Sequence, residues 1–366
     1  MNKKLKTYKI IWLIVAFITC FELAAKEKPD DKKMLELRGA DISYYWQQKD
    51  LGVEFKKNGK TVPLPQILKE GGTNIIRLRL WVNPKDGWNN LENTLAAAKE
   101  LKSYGFALLL DLHYSDSWTD PGQQKKPEAW KNLDFVRLKR KVHDWTSEVL
   151  ESFVQNGTTP EYVQVGNEIN SGFLWPEGKV VNDLGFGKFS QLISMGCAAV
   201  RETCPESKIV LHIANAGNRD FQLWWLGNIK KCQVDYDVIG LSYYPVWHGK
   251  NIDKVAANVS LISKQFKKPV IIAETAYPWT LKWNDEQHNL VGMESDLIPG
   301  YEATAAGQKK YFKALCDELK KTKGCIGIFW WEPSAVSYEG FPSSMENQTW
   351  FDFEGNYNGT GDVYLD

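Results

Sequence analysis

Two glutamates occupy matching places in this chain. Glu168 follows the apolar run Tyr162-Val163-Gln164-Val165 and the pair Gly166-Asn167, and Glu274 closes the run Val270-Ile271-Ile272-Ala273. Each run has the length and β-branched content of a buried strand, which puts each carboxylate at a strand's carboxyl end, where α/β folds place their chemistry. One carboxylate does little alone, but two that flank a glycosidic bond are the equipment for its hydrolysis. A separation of roughly 5 to 5.5 Å lets one attack the anomeric carbon while the other protonates the leaving oxygen, with net retention. That division of labour needs one carboxyl protonated at rest and its partner ionised. Arg77 and Arg79 alternate onto one face of the run Thr73 to Leu80, and either would hold Glu274 ionised. An interior arginine is costly unless paired, so a salt bridge to Asp41 or Asp111 is the competing use.

The elements that position these groups follow from apolar spacing. Strands are expected at Leu37 to Ser43, Thr73 to Leu80, Phe106 to Leu112, Tyr162 to Val165, Lys208 to Ile213, Asp237 to Leu241, the run ending in Glu274, and Cys325 to Trp330. Helical spacing fills the intervals at Pro65 to Glu70, Leu91 to Tyr104, Leu133 to Val154, Phe189 to Thr203, Asp220 to Lys230, Asp253 to Phe266 and Thr304 to Lys321. Eight strands alternating with helices predict an α/β fold, a closed (β/α)8 TIM barrel in a single catalytic domain over 37–366. Glu168 then ends the fourth strand and Glu274 the seventh, facing each other across the barrel mouth. An open doubly wound sheet would call for a Gly-rich phosphate loop after the first strand, and none is present.

Ahead of this domain, residues 1–25 read as a signal peptide, with a basic start at Asn2 to Lys6 and an apolar stretch from Ile10 to Phe21 that is short for a membrane span. Two processing routes compete: cleavage before Cys20 with lipid attachment there, and cleavage near Ala24-Ala25. Residues 26–36 form a polar linker. The expected destination is export, as a cell-surface lipoprotein or a secreted or periplasmic protein. Five further cysteines, Cys197, Cys204, Cys232, Cys316 and Cys325, show no metal-site spacing, and Cys316 with Cys325 is a pair that could bridge.

A net charge of +0 gives no electrostatic reason to bind nucleic acid or an anionic membrane, which leaves a lipid anchor as the one membrane contact expected. Aromatic residues make up 13% of the chain, including 16 Trp, and many lie in Gly- and Pro-containing loops where flat faces can stack on sugars.

Five strings carry a more specific signal: Arg77-Leu78-Arg79-Leu80-Trp81-Val82, Asp111 to Pro121, Val165-Gly166-Asn167-Glu168-Ile169, Glu274-Thr275-Ala276-Tyr277-Pro278-Trp279 and Phe329-Trp330-Trp331-Glu332-Pro333. Together they resemble glycoside hydrolase family 53 of clan A, the arabinogalactan endo-β-1,4-galactanases, from about Leu37 to Tyr364. The resemblance implies Glu168 as general acid/base, Glu274 as nucleophile and Asn167 as the amide on the sugar 2-hydroxyl. It also implies a monomeric enzyme whose partners are β-1,4-galactan and galacto-oligosaccharides, from the side chains of pectin, and whose catalysis needs no cofactor. Some bacterial members hold a structural Ca2+ in the loop after the seventh strand. Asp285 and His288 look like part of such a site, although Leu290 stands where an oxygen ligand is wanted.

Other strand ends suit a sugar physically. His113, Asp116 and Trp118 follow the third strand, and Tyr243, Tyr244 and Trp247 follow the sixth. A phenol of Tyr243 or Tyr244 that donates to Glu274 would keep it ionised. Alternation lets only one of Trp330 and Trp331 face the mouth, and Trp330 is the stacking floor on this reading. Two other functions fit the same barrel: another clan A endo-glycosidase such as a β-1,4-mannanase or xylanase, and a non-catalytic carbohydrate-binding protein.

Overall fold

The computed structural model describes residues 34–366. The signal peptide, Cys20 and the linker up to residue 33 lie outside the described residues. Leu35–Asp366 forms one compact unit. Its centre is a closed barrel of eight parallel strands: β1 Leu37–Asp41, β2 Ile75–Leu80, β3 Ala107–Leu112, β4 Tyr162–Val165, β5 Lys208–Ile213, β6 Val238–Tyr243, β7 Val270–Thr275 and β8 Cys325–Trp331. Each strand pairs with its neighbours in chain order, and β8 closes the ring on β1. Among the described residues, seven crossover helices surround it: α1 Leu64–Glu70, α2 Leu91–Ser103, α3 Phe135–Gln155, α4 Phe186–Thr203, α5 Arg219–Lys231, α6 Ile252–Phe266 and α7 Ala305–Lys321.

The helices begin where side chains replace missing backbone partners. Asn90, Asp134, Asn218, Asn251 and Thr304 each accept the backbone N–H three residues on, starting α2, α3, α5, α6 and α7. Such caps contribute about 1 kcal/mol apiece. Among the described residues the eighth strand is followed by no α-helix. A 3-10 turn at Thr360–Leu365 takes that place and packs on α7. From it the Tyr364 hydroxyl donates to the carbonyls of Gly39 on β1 and Ile328 on β8, at 2.7 and 3.0 Å.

Strand pleating sorts residues into two cores. Ile76, Leu78 and Leu80 of β2 face outward to the helices, while Ile75 joins Leu109, Tyr162, Val210, Val238, Ile271 and Phe329 in a plug inside the barrel. Gly39 makes room for this plug: a Cβ there would lie 2.1 Å from the Phe329 ring. Two residues further along the same strands the interior turns polar, with Arg77, Asp111, Gln164 and His212 all buried. The apolar plug closes the floor, so the polar layer opens only toward the carboxyl ends of the strands.

The pleat is broken at one place that decides where a glutamate points. Across β6 and β7, Leu241 pairs with Ile272 but Ser242 pairs with Glu274, so Ala273 is an extra residue that shifts the alternation. Simple alternation from Ile271 would turn Glu274 outward; the bulge turns it in. The thiols of Cys197, Cys204, Cys232 and Cys316 are free, so no bridge joins Cys316 to Cys325.

Candidate active site

The site grows out of the polar layer. Arg77 is buried, makes four hydrogen bonds and pairs with Glu274. Nη1 reaches Asp41 Oδ2 and Glu274 Oε1, both at 2.9 Å; Nη2 reaches Asp111 Oδ2 at 2.8 Å and Asn167 Oδ1 at 2.9 Å; Nε donates to Gln164 Oε1 at 3.2 Å. One guanidinium therefore ties together β1, β2, β3, β4 and β7. The expected contact with Glu274 and the competing contacts with Asp41 and Asp111 are made by the same side chain.

Glu274 is 6% exposed, with Oε1 on Arg77 and Oε2 accepting the Tyr244 hydroxyl at 2.8 Å. Burial raises its pKa to about 7, against the pull of Arg77 and of the Tyr244 hydrogen bond. Glu168 has no such cation. Burial, and then the charge of Glu274, push it up to about 8. Arg77 and the Tyr244 hydroxyl favour the ionised form of Glu274, and a charge there disfavours ionisation of Glu168. The environments push the pair apart in the sense that acid and nucleophile require.

The backbone around Glu168 is unusual. Gly166 has φ +84°, and a Cβ there would lie 2.6 Å from Ile169. Glu168 itself holds φ 44° and ψ 50°, a left-handed conformation that costs a non-glycine residue free energy. Gln124 compensates by donating to the carbonyls of Asn167 and Glu168, at 2.8 and 3.3 Å. Nothing in the sequence marked Gln124, because its partners are backbone atoms distant in the chain.

Both glutamates border a cavity of about 530 Å³, together with Trp118, Asn167, Tyr244, Trp247 and Trp331. Trp247 is 53% exposed and stands at its edge. Several expected sugar contacts are corrected here. Trp330 is fully buried behind the barrel wall, its indole N–H on the carbonyl of Gln348 and its ring against Phe312 and Trp350. Phe329 occupies the plug, so alternation brings Trp331, not Trp330, to the mouth. Tyr243 likewise points outward and donates to the carbonyl of Gly249 at 3.0 Å, which leaves Tyr244 as the phenol on Glu274.

Arg79 does not touch Glu274. It pairs with Glu332 Oε1 at 2.7 Å and lies between the rings of Tyr44 and Trp118, 4.2 Å from each centroid. Its effect on the cavity passes through Trp118, which it backs. Burial pushes the Glu332 partner up to about 8, against the pull of Arg79. His113 is 2% exposed between Asp111 Oδ2 and Thr119 Oγ1, so it braces the polar layer rather than facing a sugar. Asp116 accepts the backbone N–H groups of Asn83 and Glu128 and staples loops together away from the cavity.

Asp285 is also committed to loop structure, accepting from the N–H groups of Gln287 and Ser343, and His288 packs edge-on against Trp283. Among the described residues no group of three or more His, Cys, Asp and Glu side chains is placed to hold a metal ion. Residues that sequence reading did not select, Gln164, His212 and Ser242, line the interior around the two glutamates. Polar residues on the inward positions of otherwise apolar strands were the available signal.

A closed parallel barrel that sets two glutamates on one cavity, one of them held by a guanidinium and a phenol, defines a glycoside hydrolase. The chain belongs to glycosyl hydrolase family 53, whose profile it matches over residues 37–360. It is 36% identical over 327 residues to the arabinogalactan endo-β-1,4-galactanase of Cellvibrio japonicus, covering 86% of each chain. Among solved structures, it resembles the family 53 catalytic domain of Ignisphaera aggregans with a TM-score of 0.84, 34% identity, and coverage of 93% of this chain and 97% of that one. A fungal β-1,4-galactanase structure superposes with a TM-score of 0.81 at 29% identity, covering 90% of this chain and 99% of that one.

Proposed function

We propose that the protein is a retaining endo-β-1,4-galactanase that cuts the galactan side chains of pectin by double displacement. The observation that carries this reading is the asymmetry of the two carboxyls. Glu274 has a guanidinium and a phenol to keep it ionised, and Glu168 has neither. In the first step Glu274 attacks the anomeric carbon while Glu168 gives its proton to the departing glycosidic oxygen. In the second, Glu168 takes a proton from water as the water displaces Glu274, restoring both groups. Trp118, Trp331 and Trp247 offer flat faces along the cavity for successive sugar rings. The named activities of the relatives support β-1,4-galactan as the polymer. Export fits a polymeric substrate, with the chain either anchored through a lipid on Cys20 or released, and acting as a monomer.

The substrate test is direct. Purified protein incubated with β-1,4-galactan, mannan, xylan and cellulose is expected to release short oligosaccharides from galactan alone, without added metal or organic cofactor. Release from mannan or xylan with galactan untouched overturns the galactan reading and installs a different endo-glycosidase.

The role of Glu168 has its own test. On galactan, Glu168→Ala is expected to lose roughly 10² to 10⁴-fold in kcat/KM, the usual worth of a general acid. On an aryl galactobioside whose phenol leaves unaided, the first step should survive and deglycosylation should limit turnover. Azide should then restore turnover and yield the β-glycosyl azide. Equal losses on both substrates with no azide product would remove Glu168 from that role.

A further inference from the structure

His212 on β5 and Ser242 on β6 stand behind Glu168, both fully buried, and the double displacement gives them no part. Ser242 Oγ lies 2.5 Å from Glu168 Oε1 and 2.8 Å from His212 Nε2; His212 Nδ1 lies 3.0 Å from Asn167 Oδ1. The positions of the hydrogens in this chain of contacts are set from its far end.

The Asn167 amide cannot be turned round. Its Nδ2 donates to the carbonyl of Thr119 at 2.8 Å, and its Oδ1 accepts from Arg77 Nη2 at 2.9 Å. A guanidinium has no acceptor, so the atom facing Arg77, and also facing His212, is oxygen. His212 must then carry its hydrogen on Nδ1 to donate there. Gln164 Nε2 also lies 3.2 Å from Nδ1, but Gln164 Oε1 is fixed by Arg77 Nε, and the amide hydrogens have Asp111 Oδ1 and the Gly166 carbonyl to serve. Burial, and then the positive charge of Arg77, hold the imidazole well below its ordinary range, with Asp111 opposing and His113 and His248 acting in the same sense as Arg77. The ring is therefore neutral, and Nε2 presents a bare lone pair to Ser242.

Ser242 has one hydrogen and two acceptors in reach. With Glu168 protonated on Oε1, the carboxyl hydrogen fills the short contact to Oγ, the hydroxyl hydrogen rests on Nε2, and every group is satisfied. A half-turn of the carboxyl group then carries that hydrogen to its other side for delivery. With Glu168 ionised, the hydroxyl hydrogen turns to the carboxylate, and Nε2 is left facing an oxygen lone pair. We propose that Ser242 is a two-position hydrogen-bond switch and that His212, by competing for its hydrogen, holds Glu168 in the protonated form needed for acid catalysis. His212 and Ser242 are thus positioning residues for the acid/base, an inference that rests on Glu168 having that role. The other groups facing Glu168 are Glu274 from β7, Asp120 from the loop after β3, Arg77 from β2 and Tyr244 just after β6, whose hydroxyl donates to Glu274. None of them replaces the switch, because none donates a hydrogen bond to the carboxyl.

The two partners are expected to move the alkaline limb of the kcat/KM profile in opposite directions. Ser242→Ala removes the donor that stabilises the ionised carboxylate, and the limb should rise by about one pH unit. His212→Asn keeps an N–H near the Nδ1 position for Asn167 but deletes the competing acceptor. Ser242 is then free to serve the carboxylate, and the limb should fall by about one unit. Ser242→Thr keeps the hydroxyl and should restore the native limb. Shifts of the same sign in Ser242→Ala and His212→Asn, or no shift in either, overturn the switch.

On the native enzyme, long-range ¹H–¹⁵N correlation should find His212 neutral with its hydrogen on Nδ1 from pH 6 to 8. A hydrogen on Nε2 overturns the proposal even if a variant fails to fold. Glu168→Ala assayed on the aryl galactobioside separates the two levels. If its alkaline limb persists, the limb never belonged to Glu168, and the acid/base reading fails. If the limb disappears there but stays put in both neighbouring variants, only the switch fails.

Discussion

Glu274→Ala should retain the fold and lose roughly 10⁴-fold or more of its activity on galactan and on an aryl galactobioside alike, since no glycosyl-enzyme can form without the carboxylate. The loss on both substrates is what distinguishes it from Glu168→Ala, which spares the activated one. Azide supplied to Glu274→Ala enters the space of the missing carboxylate and should give the α-glycosyl azide, opposite in configuration to the product from Glu168→Ala. Nuclear magnetic resonance of the anomeric proton decides between them. Exchange of the two azide products would reverse the roles assigned to Glu168 and Glu274. An inverted sugar from the native enzyme would refute the two-step mechanism itself.

Arg77→Leu should be the most damaging single substitution outside the two glutamates, because it strands Asp41, Asp111 and Glu274 in the barrel without their shared cation. Breaking such a group typically costs about 3 to 5 kcal/mol, which a thermal melt at pH 7 will register as a large fall in Tm. The pH dependence carries the sign. In the native protein burial pushes Asp111 up, but Arg77, with His113, pulls it below the ordinary carboxylate range. That stabilisation is present above the unfolded value and is lost as pH falls through the folded one. Without Arg77 the largest opposition to burial is gone and the folded value moves up, so stability is retained at low pH and lost as pH rises. The difference in Tm between variant and native protein should therefore widen from pH 5 to pH 8. A constant difference would mean that Arg77 acts through packing and not through charge.

Much of this arrangement is legible in the chain's own residue order, and the parts that are not have physical reasons. The strand runs before Glu168 and Glu274 and the paired arginines of β2 are local patterns, and the barrel follows from repeating such patterns. Trp331 and Tyr244 were also within reach of sequence, by counting alternation from Phe329 and from Val238, residues whose inward orientation the plug establishes. Glu274 is different. Alternation alone points it the wrong way, and it reaches the mouth only through the bulge at Ala273, a feature of pairing with β6 that one strand cannot announce. His113 and Asp116 looked available because polar side chains after a strand do, and tertiary partners had already claimed them. Asp285 is of the same kind, spent on the N–H groups of its own loop and of Ser343.

The single hydroxyl hydrogen of Tyr364, divided between a carbonyl of β1 and a carbonyl of β8, lies across the joint where the ring of strands is sealed. Loss of Tyr364 would therefore act on the seal itself. Asp366, by contrast, is exposed two positions on. A change at Asp366 leaves the latch in place, whereas a change that removes the Tyr364 hydroxyl would unfasten the barrel at its final joint.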